Sequence, residues 1–178
     1  MVELRGRTVI LRALEREHCR ELWEAYEPTA PLPTERIRPG LSVEGAENWF
    51  EDIQVGQGKS RIDLGIFTLD GRLVGDIQLA QIDWQNRTAE LGVGIARAAD
   101  RGQGYGTDAA RTIIDYAFDA LDLVRIAAAT AEYNHLAQAG LRHAGFVEEG
   151  REREATYLNG RRWDRLCYGL LRREYTGS

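Results

Sequence analysis

Arg101-Gly102-Gln103-Gly104-Tyr105-Gly106 lies between a strand-like run and a long amphipathic helix, and this junction constrains the chain more than any other feature. Residues 89–95, Ala-Glu-Leu-Gly-Val-Gly-Ile, read as a strand before it. After it, Ala110, Ile113, Ile114, Ala117, Phe118 and Leu121 recur at helical spacing. Three alternate glycines leave main-chain N–H groups unhindered by Cβ atoms just where the helix begins. With the positive end of the helix dipole, these groups make a seat for phosphate. A strand, a phosphate loop and a helix in succession imply an α/β fold and a phosphate-bearing ligand.

Two familiar phosphate loops do not fit. The dinucleotide fingerprint needs Gly-x-Gly-x-x-Gly after the first strand, whereas the spacing here is Gly-x-Gly-x-Gly, past the midpoint of the chain. A nucleotide-triphosphate loop needs Gly-Lys-Ser/Thr preceded by a further glycine. The sole lysine, Lys59, sits in Gly58-Lys59-Ser60, but Asp52-Ile53-Gln54 stands where that glycine belongs.

Residues 8–12 read as the first strand, followed by a helix carrying Cys19, Leu22, Trp23 and Tyr26 on one face. Pro28, Pro31, Pro33 and Pro39 fill the next segment, which can be neither a regular helix nor a central strand. Loops of that length in a compact domain tend to serve function or motion. Ser42 is placed to cap a helix bearing Val43, Ala46, Trp49, Phe50 and Ile53. Ile62, Leu64 and Ile66 alternate, Asp70-Gly71 supplies a hairpin turn, and residues 73–82 make the return strand. The Asn86-Arg87 turn leads into the strand containing Glu90. Residues 124–130 form another strand, Asn134 can cap a short helix ending at Gly145-Phe146, and Asn159-Gly160 separates the last two strands. The order β α α β β β α β α β β describes a mixed α/β sheet without repeats.

At 178 residues and 43% hydrophobic content, the chain suits one domain spanning residues 1–178. A net charge of −5 offers no general attraction to nucleic acid or an anionic membrane. Cys19 and Cys167 lack metal-ligand or Cys-x-x-Cys spacing and read as two thiols in a reducing compartment, with no metal. The opening Met1-Val2-Glu3-Leu4-Arg5-Gly6-Arg7 is interrupted by charge, so it reads as neither signal peptide nor membrane span. A cytoplasmic protein is expected.

Arg101-x-x-Gly104-x-Gly106 after a strand resembles the Arg/Gln-x-x-Gly-x-Gly/Ala signature of the GNAT superfamily of acyl-CoA-dependent N-acyltransferases. The stretch from Asn134 to Phe146, then Glu148-Glu149-Gly150, Asn159-Gly160 and Trp163-Asp164, resembles the RimJ/RimL branch. The resemblance runs from Leu11-Arg12 to Glu174 and is densest after Glu90. It implies a single-domain, mostly antiparallel sheet with a splayed central strand pair, and acetyl-CoA as cosubstrate.

By that resemblance, the pyrophosphate lies on Arg101, Gly102, Gln103, Gly104, Tyr105, Gly106 and Thr107, with Arg97 a weaker candidate for charge. The pantetheine arm adds to the open strand edge at Val93, Gly94, Ile95 and Ala96. Gly92 and Gly94 suit a bulge or a close ligand approach there. Asn134 is either a CoA-contacting asparagine or a plain helix cap, and Glu90 either the general base or a surface glutamate. Many members carry a tyrosine seven residues after the asparagine, and the RimL type often a serine three after it, as the acid that protonates the departing thiolate. Leu141 and Ala137 stand there instead. Tyr133 and Tyr168 are the candidate substitutes, while His135 and His143 read as helix-surface residues.

The acceptor implied is a primary amine, foremost a peptide N-terminus. Its amine, with a pKa near ~8, reaches the neutral attacking form more readily than a lysine near ~10.4. Polyamine acetyltransferases place acidic residues on the third strand. Gln78 and Gln81 are found there, with Asp76 and Asp83 keeping that reading open, and an amino acid or antibiotic also fits. A non-catalytic acyl-CoA-binding module is the alternative from another class. Homodimers are frequent among members, which leaves a homodimer open here.

Overall fold

The computed structural model describes residues 3–26, 43–158 and 160–177. The proline-bearing segment, the Ser42 cap and Asn159 lie outside these. Along the chain run β1 (Glu3–Arg5), β2 (Val9–Ala13), α1 (Arg16–Ala25), α2 (Val43–Gly56), β3 (Ile62–Thr68), β4 (Leu73–Asp83) and β5 (Thr88–Ile95). There follow α3 (Tyr105–Asp119), β6 (Arg125–Ala131), α4 (His135–His143), β7 (Val147–Leu158) and β8 (Arg161–Leu171). A short strand, β1, therefore precedes the first one expected. It is too brief to show a period-two pattern of its own.

The strands form one mixed sheet in the order β1-β2-β3-β4-β5-β6-β8-β7. Every neighbouring pair is antiparallel except β5 and β6. These two are parallel because α3 crosses over between them, as a parallel connection requires. Their pairing is brief: Thr88↔Arg125, Ala89↔Ile126 and Glu90↔Ala127. Beyond Glu90, β5 stays with β4 as far as Ile95, while β6 follows β8. A wedge opens between the two central strands.

Alternation along the strands sends side chains to two packed faces. Leu64 and Ile66 join the stripe Ala110, Ile113, Ile114, Ala117 and Phe118 of α3, all buried. Each fully buried leucine, isoleucine or phenylalanine there stabilises the fold by about 1.5–3 kcal/mol. Phe67 points the other way and packs with Cys19 and Leu22 of α1 and Ile53 of α2. Burial, together with Asp76 and Asp63 nearby, pushes the Cys19 thiol up to about 12, so it is a core filler rather than a nucleophile. Among the described residues, no helix is long and apolar enough to cross a membrane.

The start of α3 is held to the start of β2 by Asp108. Its carboxylate accepts from Thr8 N (2.7 Å), Thr8 Oγ1 (2.9 Å), Val9 N (3.1 Å) and Arg7 N (3.2 Å). Gly6 gives it room, since a Cβ there would lie 2.6 Å from Asp108 Oδ2. Desolvation works against the ionised form, but these donors outweigh it and hold the carboxyl below its ordinary value. Asp108→Ala is expected to cost about 1–3 kcal/mol in urea unfolding, toward the low end because the site is part-solvated. A depressed pKa contributes stability that is complete above the unfolded value of about 3.9 and is lost as pH falls through the folded one. The deficit of the variant should therefore shrink on acidification below about pH 4. A deficit that persists undiminished in acid would assign the effect to something other than the carboxylate.

Candidate active site

A cavity of about 570 Å³ fills the wedge and runs through the sheet. One end is lined by Gln78, Ala80, Gln81, Glu90 and Arg165. The other opens at residues 100–107 between α3 and α4, past Gly140 and His143.

The loop at that second end is fixed from both sides. Arg101 turns its guanidinium back onto β5, donating from Nε to Ile95 O (3.2 Å) and from Nη2 to Ala96 O (3.1 Å). Asp100, largely buried, accepts from Arg72 Nη1 at 2.9 Å through both oxygens. Between these anchors, Gly102 (φ +74°) and Gly104 (φ +86°) take left-handed conformations that other residues adopt only at a cost. Gly106 is different: it lies in the first turn of α3, where a Cβ would meet Val93 and Ile95 side chains at 3.6–3.9 Å. Two glycines thus shape the bend, while at Gly106 a Cβ would make only ordinary van der Waals contacts. As a result, the main-chain N–H groups of residues 102–107 donate to no described residue. They sit at the positive end of a fifteen-residue helix, which suits them to a phosphate group.

Most of the residues expected to hold a cofactor come together here. Val93, Gly94, Ile95, Arg101, Gly102, Gly104, Tyr105, Gly106, Thr107 and Asn134 line the cavity. Gln103 is exposed and Ala96 fully buried, and neither lines it. The Ala96 N–H already donates to Val74 O (3.0 Å), which removes it from the open strand edge. Arg97 is drawn away to Glu21, 3.7 Å distant. Arg101 lines the cavity and also braces the loop, since two of its nitrogens are engaged by carbonyls. Nor does β5 bulge at Gly92 or Gly94; where it pairs with β4 the register shifts between Ala80 and Asp83. The close approach is at Gly75 instead, where a Cβ would fall 2.1 Å from Gly94 O.

Asn134 both caps and faces the cavity. Its side-chain oxygen accepts from Ala137 N (3.1 Å), while its NH₂ donates to no described residue. Leu141 and Ala137 also line the cavity, so both positions without a hydroxyl do face it. Tyr133 instead packs edge-on against Trp163, centroids 5.4 Å apart. Tyr168 is buried, with Arg142 Nη2 reaching its hydroxyl at 3.4 Å, and neither tyrosine lines the cavity. His143 is exposed at the mouth, its Nδ1 2.7 Å from Ala139 O.

Glu90 sits at the vertex of the wedge, in the last pair joining β5 to β6. Its Oε2 accepts from Gln81 Nε2 (2.8 Å) and its Oε1 from Arg165 Nη2 (3.4 Å). Gln81 reaches it from a β-bulge at φ +49°, a strained backbone of the kind that collects at functional sites. Neither Gln81 nor Arg165 stood out in the sequence as a partner of Glu90. Asp76 is buried and accepts from Tyr26 Oη (3.1 Å); Asp83 accepts from Asn86 N (2.8 Å) and Nδ2 (2.7 Å). Neither lines the cavity.

A sheet splayed beside a helix start whose main-chain N–H groups are open is the arrangement expected of acyl-CoA-dependent transferases. Residues 8–147 match the acetyltransferase (GNAT) domain, and the chain belongs to that family of N-acetyltransferases, which use acetyl-CoA. The chain is 31% identical over 170 residues to "Probable N-acetyltransferase YjcK" of Bacillus subtilis (strain 168), covering 88% of this chain and 90% of that one. It is 43% identical over 109 residues to "Putative ribosomal N-acetyltransferase YdaF" of the same organism, a match spanning 61% of this chain and 59% of that protein's length. The crystal structure of spermidine N-acetyltransferase from Vibrio cholerae, in complex with CoA and spermine, superposes with a TM-score of 0.83 at 26% identity. That superposition covers 94% of this chain and 98% of the other.

Proposed function

We propose that this protein, acting as one domain, transfers the acetyl group of acetyl-CoA to a peptide N-terminal amine by direct attack within a ternary complex. The observation that carries this reading is the row of undonated N–H groups at residues 102–107, opening on a cavity that continues to Glu90. Acetyl-CoA supplies the activated acyl group. The chain's residues hold and orient it: the loop amides take the pyrophosphate, the open edge at residues 93–95 takes the pantetheine arm, and Asn134 donates its free NH₂. Main-chain amides of that edge polarise the thioester carbonyl. Glu90 receives the amine's proton, directly or through water.

The acceptor end favours an amine of low charge. Among the described residues its one carboxylate, Glu90, is already matched by Arg165, and Gln78 and Gln81 add no charge. A polycation would gain little there, and Asp76 and Asp83 point elsewhere. The name of YdaF gives the peptide reading a further basis. The CoA and spermine complex of the Vibrio protein supports amine transfer in general, and spermidine is the comparison substrate to use. Thiol release from acetyl-CoA should follow peptides with a free α-amine more closely than spermidine. It should also rise with pH through the amine pKa near ~8. Turnover confined to polyamines would reverse the choice of acceptor, and a flat response to every amine would leave only a CoA-binding module.

A further inference from the structure

Seven polar or charged residues are largely buried among those described, and of these Thr130 is the one without a hydrogen-bond partner; elsewhere Arg12 Nε and Trp163 Nε1 are also buried and unpartnered. Asp63, Thr68, Asp76, Asp100, Thr112 and Gln138 are each bonded. Thr130 is only 5% exposed and lines the cavity. Its hydroxyl is not among the side-chain atoms shut away without a partner, so it is open to the cavity and available to a ligand there.

Thr130 continues the stripe of Ile126 and Ala128, which joins the α3-side core, so its hydroxyl interrupts an apolar face. Beyond the Glu90↔Ala127 pair, the same register carried forward would set Thr130 level with Val93, across the wedge from the open edge of β5. Leu136, Ala137, Gly140 and Leu141 close that side without a hydroxyl or a charge. The other hydroxyls lining the cavity, Tyr105 and Thr107, belong to the first turn of α3 at the phosphate end.

We propose that Thr130 Oγ1 donates a hydrogen bond to the sulfur of coenzyme A and stabilises the thiolate as the acyl group departs. This rests on the reading that the cavity holds coenzyme A. In the transfer, the amine nitrogen bonds to the acyl carbon, the C–S bond breaks, and its electron pair stays on sulfur. The amine's proton leaves through Glu90 to solvent, and sulfur is reprotonated from water. Thr130 keeps its own proton, so its contribution is that of a donor fixed where negative charge develops.

The test binds coenzyme A to the wild type, Thr130→Val and Thr130→Ser, and follows the ultraviolet absorbance of the bound thiolate against pH. The bound thiol should ionise about one unit or more lower in the wild type than in Thr130→Val, with Thr130→Ser restoring the lower value. Turnover with a peptide acceptor should fall about 10- to 100-fold in Thr130→Val and recover in Thr130→Ser. Desulfo-coenzyme A should bind the wild type and Thr130→Val equally. Ligand-free Thr130→Val should melt no lower than the wild type, because the hydroxyl it removes makes no hydrogen bond to the described residues. A drop in its melting temperature would make Thr130 a structural residue and overturn the proposal. An unchanged thiol titration, or equal loss of affinity for both coenzymes, would also overturn it while leaving the cofactor reading intact. Absence of coenzyme A binding to the wild type would overturn both.

Discussion

Gly104→Val is expected to lower coenzyme A affinity by about 100-fold or more in calorimetry while leaving the protein folded. The native φ of +86° is one that a β-branched residue resists, at about 1–2 kcal/mol or more. No atom lies within 4 Å of a Cβ built there, so the cost is conformational rather than a clash. Relief would come from rotating the bend, which disperses the N–H groups of residues 102–107. Hydrogen bonds to a charged group contribute about 1.5–3 kcal/mol each, so losing even two accounts for the drop. Gly71→Val is the matched control. Gly71 has φ +91° and the same empty surroundings, but it lies in the β3–β4 hairpin turn. It should destabilise comparably and leave coenzyme A affinity unchanged. If both variants bound coenzyme A like the wild type, the loop would not be the phosphate seat.

The features legible in the sequence were those set by local rules. Glycines beside an amphipathic helix mark the loop, period-two alternation marks β3, and Asn134 is legible as a cap because capping acts over three residues. The contacts that complete the site come from pairings far apart in the chain. Arg165 meets Glu90 across 75 positions because β8 lies against β6, and Asp108 meets Thr8 across 100. No spacing rule reaches that far. Gln81 was hidden for another reason: glutamine carries no preference for the left-handed backbone, so its bulge left no trace in composition. Arg101 was legible as a residue but not as a conformation, since a loop arginine can face a phosphate or its own carbonyls equally well. Thr130 did leave a signal, a hydroxyl in the register of Ile126 and Ala128. On a strand that interruption marks either a bonded core polar group or a ligand contact, and only the missing partner separates the two.

Glu90→Gln should reduce kcat by about 10²–10⁴-fold, the usual range for removing a general base, with little change in coenzyme A affinity. The substitution is nearly isosteric, and the surrounding bonds survive it. Arg165 can still donate to the amide oxygen, and Gln81 can turn its own amide so that its oxygen faces the new NH₂. The loss therefore reports proton transfer rather than a collapsed network. The pH profile tells the two apart. Below the amine pKa of about 8, most acceptor is protonated and needs a group to receive its proton; above it, the amine arrives neutral. The deficit of Glu90→Gln should narrow as pH rises through that range. A deficit of constant size at every pH would place Glu90 in orienting the acceptor beside Arg165. An unimpaired variant would move the base away from Glu90, since among the described residues Gln78, Gln81 and Arg165 offer no replacement carboxylate at the acceptor end.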